Sequence, residues 1–329
     1  MDCNGEGVLF IEADANVSLD QSGDALQPPC PFLDELLFDV PGSSRILNCP
    51  VILIQFLSAI AEMARGRQSP SIFPVWERHV LDARNPPHVT CIHREYDHIE
   101  NDQGIPFSLD DIVHRAIFIS PSLISTLRSR YIPPHLPRCT DVEILTACLW
   151  KCRTIALQPD AGQEMRLMLI NNARKLNPPL LPEGYYGNGF ILSTAVATAE
   201  EISKNPIGYG LELIRKAKME FDRECIKSVA DLLVIKGRPH FAVDGTYMVS
   251  DVRYAGFKEV DFGWGNAIYG GPAKAIPIYA SFYVPFERKK GENGIVIPIC
   301  LPAQAMERFV KELKNLLDDN RSSLIMSAL

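Results

Sequence analysis

The glycine-rich stretch from Asp261 to Pro272 constrains the fold of this chain more than any other segment. It packs one carboxylate, three aromatic residues and four glycines into twelve positions. Glycine lets a backbone bend sharply and approach a ligand or another strand closely. Phe262 and Trp264 alternate around a glycine, so we expect them to fix the segment against apolar surface. A glycine-rich strand end with an aromatic anchor explains most short matches of this kind, so the motif needs support from its neighbours.

Composition and charge limit the class of protein. A length of 329 residues suggests two domains or one large domain. The net charge of −7 leaves no dominant basic patch, so nucleic acid is not an expected partner. No basic region precedes an apolar run at the start, and no apolar stretch reaches the roughly 20 residues that span a bilayer. We therefore expect a cytoplasmic monomer without membrane contact.

The cysteines favour a reducing compartment. There are nine, dispersed along the chain, and none form a Cys-x-x-Cys pair. An odd number of scattered thiols is more typical of buried, reduced cysteines than of disulfides or zinc. Cys148 and Cys152 share one predicted helix face and are expected in the core. The sequence therefore predicts no metal site.

Hydrophobic periodicity predicts a protein of mixed α/β type. Thr140 and Glu143 form a capping box, and Ser120 followed by proline is a second helix start. Strands and helices alternate without βαβ regularity, which indicates an α/β or α+β fold with mixed sheets. Helices are predicted at 55–67, 123–131, 140–156, 195–205, 211–221, 224–236 and from 302. Strands are predicted at 8–13, 50–54, 89–92, 116–119, 165–171, 248–252, 276–284 and 295–301, and 178–188 is predicted to be irregular.

One junction conflicts with ordinary chain geometry. The strand predicted at 50–54 runs straight into the helix predicted from Gln55, with no turn residues between them. A strand normally needs several residues before a helix can fold back onto its sheet. A strand is also predicted almost at the start of the chain, at 8–13. We interpret both places as points where sequence has been lost.

Several motifs in chain order resemble one family. DFGWG at 261–265, with YGGPAK at 269–274, closely resembles the C-terminal motif of the plant BAHD acyl-CoA-dependent acyltransferases. Further stretches resemble the alcohol O-acyltransferase and benzyl alcohol O-benzoyltransferase branch of that family, which includes fruit enzymes that make volatile esters. They are GEGVLFIEAD (5–14), GDALQPP (23–29), VEILTACLWKCRT (142–154), NNARKLNPP (171–179), GYYGN (184–188) and FKEVDFGWG (257–265).

The resemblance implies a two-domain, chloramphenicol-acetyltransferase-like fold with mixed β-sheets flanked by helices and a tunnel between the halves. We expect residues 1–119 to be the remnant of an incomplete N-terminal domain and residues 120–329 to be the C-terminal domain. The implied reaction transfers an acyl group from acyl-CoA to a small aliphatic or aromatic alcohol, without bound cofactor or metal. In the family, the His of an His-x-x-x-Asp-Gly motif is the general base that takes the hydroxyl proton.

The family's catalytic His is absent from its expected place. The motif belongs before the helix that here starts near Gln55, but Val51–Gln55 continues directly into Phe56. The stretch His93 to Asp97 matches His-x-x-x-Asp, yet His98 follows instead of glycine, and we interpret it as a surface loop and a decoy. The remaining histidines are interpreted as isolated: His79, His88, His114, His135 and His240.

The resemblance gives Asp261 a structural role. It pairs this aspartate with an arginine, carried here onto Arg174, and a carboxylate beside arginine has a lowered pKa and is a poor base. We therefore expect an Asp261–Arg174 ion pair. Gly263, Trp264 and Gly265 are expected to border the CoA tunnel, with Asn188 and Tyr185 in supporting loops.

The resulting hypothesis is an ester-forming acyltransferase whose activity is lost or strongly impaired. Two alternatives stay open: a non-catalytic CoA-binding pseudoenzyme, and a misfolded product of a truncated allele or splice form. A hydrolase is disfavoured because no Gly-x-Ser-x-Gly elbow occurs.

Overall fold

The computed structural model describes residues 54–97, 108, 111–136, 138–185, 187–241, 243–272, 275, 279–288, 291–317 and 326–328. The predicted strand at 8–13 and most of the one at 50–54 lie outside these residues. Ile54, placed in that strand from the sequence, instead begins the first helix. The side chains discussed below belong to the described part of the chain.

The described strands form one mixed sheet. Its order is β3-β2-β4-β5-β6-β1-β7, seven strands in all among the described residues. The central pairs β2–β4 and β4–β5 are parallel, and the outer pairs are antiparallel. The prediction of a mixed sheet is therefore confirmed. The strands are β1 (Ile112–Ile119), β2 (Glu164–Asn172), β3 (Phe190–Thr198), β4 (Thr246–Asp251), β5 (Ala280–Glu287), β6 (Asn293–Pro302) and β7 (Met326–Ala328).

The helices begin largely where capping residues predict. Ser120 accepts a hydrogen bond from the Leu123 amide at the start of α2, and Thr140 and Glu143 form the complete capping box of α3. These side chains satisfy amide groups that a helix start leaves unpaired. The helices are α1 (Ile54–Ala64), α2 (Pro121–Tyr131), α3 (Asp141–Leu157), α4 (Ala199–Lys204), α5 (Ile207–Met219), α6 (Arg223–Ile235) and α7 (Ala303–Leu317).

The main core lies between the sheet and the helices around α3. Helix α3 packs against α5 and α7, while α7 contacts β6 and α5 contacts β3. Trp150 at the centre of α3 and Phe309 of α7 are both 0 % exposed. Cys148 and Cys152 are buried in the same cluster, as predicted. The apolar stripes that periodicity identified on α3 and α7 therefore meet in one interior.

The helix predicted at 195–205 starts too early. Residues 195–198, predicted as helix, complete β3, which pairs with β2 over nine consecutive positions. The alanines favour helix by propensity, but β3 buries alternate residues, and burial on a sheet overrides propensity. Gly208 and Gly210 fall between the helices predicted at 195–205 and 211–221, but they lie within α5. A Cβ at Gly208 would lie 2.7 Å from the ring of Pro133, so glycine permits this close approach.

Two other predictions need correction. Residues 89–92 are not a strand, because the amides of Thr90 and Cys91 bond to the Ser228 hydroxyl rather than to a neighbouring strand. Helix α1 is confirmed. Ile60 and Met63, which recur at helical spacing in the sequence and would form an apolar face, are exposed, while Ala61 is buried. The predicted domain boundary after residue 119 stays a prediction. Strand β1, which ends there, pairs with β6.

Candidate functional site

The Asp261 carboxylate organises the glycine-rich motif into a turn. Its Oδ1 accepts hydrogen bonds from the amides of Gly263 at 2.8 Å and Gly265 at 3.0 Å. Its Oδ2 lies 3.3 Å from Nη1 of Arg65, just beyond the end of α1. The two amides and then Arg65 hold the pKa of Asp261 below its usual value. A carboxylate so engaged is a weak proton acceptor, which fits a structural role.

Trp264 does not anchor the turn as the sequence suggested. Its side chain is 93 % exposed. Gly263 and Gly265, at φ of 111° and 110°, adopt backbone conformations that L side chains rarely take, and together they project the intervening indole outward. The expectation that Trp264 packs on apolar surface is therefore wrong for the described residues. Its placement beside a CoA tunnel stays a prediction.

Arg174 has partners other than Asp261. Its Nη2 donates to the carbonyl oxygens of Tyr185 and Gly187, each at 2.7 Å, and its guanidinium lies 5.6 Å from the centre of the Tyr185 ring. The expected Asp261–Arg174 ion pair is not formed, because the turn at 173–175 directs Arg174 toward the carbonyl oxygens of Tyr185 and Gly187. Arg65 occupies the predicted place of Arg174. Tyr185 is buried and Asn188 is exposed.

His93 is buried rather than exposed on a surface loop. Its Nε2 lies 2.8 Å from the Ser228 hydroxyl of α6, and its Nδ1 lies 3.2 Å from the Glu95 carboxylate. The ring also borders a cavity of about 370 Å³ beside β3 and α5. The surface-loop interpretation is therefore wrong. The spacing match to Asp97 has no part in the arrangement, since Glu95 is the acid on the ring.

Ser228, His93 and Glu95 have the hydrogen-bond order of a nucleophile, base and orienting acid. The Ser228 oxygen, however, already accepts hydrogen bonds from two backbone amides, those of Thr90 and Cys91, both at 2.9 Å. A hydroxyl has one donor and two acceptor positions, so Ser228 donates its only proton to Nε2 of His93. All of its capacity is used, and the side chain is fully buried. The hydrogen bonds among Ser228, His93 and Glu95 therefore attach the loop at 89–97 to α6.

Two further strings in the sequence match the family's histidine spacing, although His240 is interpreted above as isolated. His240, Asp244 and Gly245 have the full His-x-x-x-Asp-Gly spacing, and His98 to Asp102 has the shorter form. His240 is exposed in the loop before β4, and Asp244 accepts a hydrogen bond from Gln163 at 3.1 Å. His98 to Asp102 lies outside the described residues. Spacing alone identifies both strings.

A cavity of about 690 Å³ opens where β2 and β4 end. It has the size of a ligand pocket. Most cations on its wall are already paired: Arg128 with Asp141, Lys218 with Glu143, and Arg253 with Asp251. Lys175 makes no ion pair among the described residues, and its ammonium lies 5.3 Å from the ring centre of Tyr254. Tyr254 and Phe190 expose aromatic surface at this wall.

Residues 53–316 match the family described as "Transferase family". The benzyl alcohol O-benzoyltransferase of Petunia hybrida is 54 % identical over 348 residues, covering 96 % of this chain and 75 % of that protein. The chain belongs to the BAHD transferase family. Alcohol acyl transferase 2 of Malus domestica is 45 % identical to this BAHD transferase, covering 98 % of it and 77 % of the apple protein.

Solved structures show the same fold at lower identity. Vinorine synthase superposes with a TM-score of 0.54 at 20 % identity, covering 80 % of this chain and 58 % of its own. TRI101 of F. sporotrichioides, solved with coenzyme A and T-2, gives a TM-score of 0.54 at 16 % identity, covering 77 % and 57 %. The BAHD acyltransferase fold is thus confirmed. In the described part of the chain, no helix combines the length and apolarity needed to cross a bilayer.

Proposed function

We propose that this BAHD transferase binds acyl-CoA in the cavity at the ends of β2 and β4 and that its transfer of the acyl group to a small alcohol is strongly reduced. The observation that carries the proposal is its 45–54 % identity to alcohol acyltransferases over nearly the whole chain. Its expected products are volatile esters of aliphatic or aromatic alcohols. We expect it to act as a cytoplasmic monomer.

The cavity wall has groups suited to a nucleotide carrier. CoA presents anionic phosphates and an adenine ring. Lys175 is a solvated cation without a carboxylate partner in the described residues, so it is free to contact phosphate. Tyr254 exposes its ring beside that ammonium, and aromatic faces stack on bases of any kind. Lys175 and Tyr254 together form a phosphate and base subsite on one wall.

We expect impaired transfer because the candidate general bases are either engaged in other hydrogen bonds or missing. His93 can accept a proton from an alcohol only after Nε2 releases the Ser228 hydroxyl. Asp261 has its carboxylate committed to two amides and Arg65. No histidine precedes α1, where the family places it. A missing general base lowers the rate about 10²–10⁴-fold.

CoA binding is tested by calorimetry on the purified full chain. We expect CoA to bind, and Lys175→Gln and Tyr254→Ala each to weaken it about tenfold, the effect of roughly 1.4 kcal/mol. Lys216→Gln is the matched control, because Lys216 lines the other cavity, beside His93. Equal losses in all three variants, or no CoA binding by a folded wild-type chain, would contradict the proposed site.

Ester formation is measured separately, with benzoyl-CoA and benzyl alcohol and with acetyl-CoA and hexanol. The Petunia relative, assayed alongside, is the reference. We expect at least an approximately 100-fold lower rate for this chain. A rate equal to that of the reference, abolished by His93→Ala or His240→Ala, would overturn the impaired-transfer proposal. CoA binding without any turnover would identify the second candidate, the CoA-binding pseudoenzyme.

A further inference from the structure

Three metal-type ligands from two segments distant in sequence meet at the start of α6. The thiol sulfurs of Cys91 and Cys225 and a carboxylate oxygen of Asp222 all lie within 4.8 Å of one another. The Cys225 sulfur also lies 3.1 Å from the Glu220 carbonyl oxygen. In a tetrahedral site with metal–ligand bonds of zinc length, neighbouring ligand atoms are roughly 3.3–3.8 Å apart. The three side chains therefore need only a small contraction to reach that spacing, and the contact of the Cys225 sulfur with the Glu220 carbonyl is already near it.

The backbone around these groups is held in place by other contacts. Cys91 follows Thr90, and both amides bond to the Ser228 oxygen. Asp222 caps α6 by accepting a hydrogen bond on Oδ1 from the Cys225 amide at 2.8 Å. This leaves Oδ2 without a hydrogen bond among the described residues. A site whose supports are fixed independently loses little entropy on binding an ion.

Access to the cluster is open. Cys91 and Cys225 are half-buried, Asp222 is exposed, and Cys225 also lines the cavity of about 370 Å³ that His93 borders. The thiol of Cys225 donates to the Glu220 carbonyl and is therefore protonated before an ion arrives. Coordination by sulfur requires the thiolate, so binding releases one proton from each cysteine.

We propose that Cys91, Cys225 and Asp222, with the Glu220 carbonyl or water as a fourth ligand, bind a thiophilic divalent cation of the Zn²⁺ type. Two thiolates select zinc over magnesium or calcium, which prefer oxygen ligands. Two thiolates and one carboxylate bring more negative charge than the ion neutralises, so the ligand set holds a cation strongly. The bound ion clamps the loop at 89–97, which includes His93, to the first turn of α6.

Zinc binding is tested on the reduced, metal-free full chain with Zn²⁺ alone and, for its thiolate charge-transfer absorption, with Cd²⁺. We expect one ion per chain, two cysteine–cadmium bonds by absorbance, and a raised melting temperature. Cys91→Ser and Cys225→Ser should each lower the affinity by more than about 100-fold, beyond the 10–100-fold typical of second-sphere changes. Cys139→Ser removes a thiol outside the cluster and should bind as the wild type does.

Asp222→Asn preserves the helix cap while removing the carboxylate charge, so it isolates the contribution of that ligand. Wild-type protein supplies a measurement independent of any variant: saturating Zn²⁺ should protect Cys91 and Cys225, but not cysteines elsewhere, from alkylation mapped by mass spectrometry. Absence of stoichiometric binding, or binding that persists unchanged in both serine variants, would overturn the proposal. Protection of other cysteines in place of this pair would do the same.

Discussion

The core around α3 and the attachment of the loop at 84–97 to α6 are built on opposite principles. In the core, Trp150 and Phe309 are surrounded by apolar side chains from nearly every strand and helix of the sheet region. The loop instead meets α6 through a polar seam, which we define as Arg84, Thr90 and His93 on the loop with Glu224, Ser228 and Asp231 on the helix.

The polar seam is held by hydrogen bonds and ion pairs, whereas the core is held by apolar packing. Arg84 bonds through both its amide and its Nε to the Asp231 carboxylate, each at 2.6 Å, and Asp231 is fully buried. Packing in a core tolerates substitutions that preserve volume. A buried hydrogen-bonded group tolerates few substitutions, because loss of one partner leaves the other unsatisfied. The core thus provides stability, and the seam fixes the position of one loop.

The largest expected effect is in the core. Trp150→Ala removes a side chain that is 0 % exposed and should lower the free energy of unfolding by about 3–5 kcal/mol. Trp264→Ala is the matched control, since the same residue type is 93 % exposed at the glycine-rich turn. It should change stability by less than about 0.5 kcal/mol. Urea unfolding followed by circular dichroism measures both, and similar losses would refute the contrast between core and turn.

A smaller and more local effect is expected in the seam. Ser228→Ala leaves the amides of Thr90 and Cys91 and the His93 ring without their shared partner, at a cost of about 1–3 kcal/mol. Limited proteolysis should detect faster cleavage within residues 82–97. Ser129→Ala, on the exposed face of α2, is the control and should leave stability and cleavage unchanged. Uniform destabilisation without faster loop cleavage would show that the seam does not position this loop.

The difference between local patterns and long-range contacts explains which elements the sequence could predict. Helix α3 was predicted because its capping box and apolar stripe lie within one short window. The predicted strands within β1, β2, β4 and β6 were likewise readable from local runs of apolar residues. Strand β3 was missed because its alanines and threonines carry helical and strand signals together. Pairing with β2 decides between them, and no local pattern shows that pairing.

The contacts of the candidate site and of the polar seam join residues that are distant in sequence, so they leave no local pattern. Arg84 and Asp231 are 147 positions apart, and Arg65 is 196 positions from Asp261. A single pair at such a separation has no periodicity. The family resemblance therefore assigned Arg174 to Asp261, and the loop interpretation left His93 exposed. The hydrogen bonds from the amides two and four residues later to the Asp261 carboxylate are local, but no prediction included them. Family resemblance identified the motif but not its ion-pair partner.

The smallest expected effect is a response of the seam to acid. Hydrogen bonds from the Thr90 hydroxyl and then Arg84 lower the pKa of Glu224. Burial alone would raise the pKa of Asp231, but its hydrogen bonds from Arg84 outweigh burial and lower it. Both carboxylates therefore stabilise the seam at pH values above about 4, the ordinary pKa of a carboxylate. This stabilisation is lost as the pH falls through the lowered pKa values of the folded protein.

Hydrogen exchange of peptides covering 84–97, corrected for intrinsic rates, should show constant protection from neutral pH to about pH 4 and a loss below it. Peptides around Trp150 should keep more of their protection over the same range, because the side chains packed around Trp150 are apolar. Asp231→Asn should reduce the acid response of the loop. A decline centred near pH 6.5, well above the ordinary pKa of a carboxylate, would show that Glu224 and Asp231 are not the groups responsible. An equal response in the core peptides would mean that acid unfolds the chain globally and that the seam is not a separate unit.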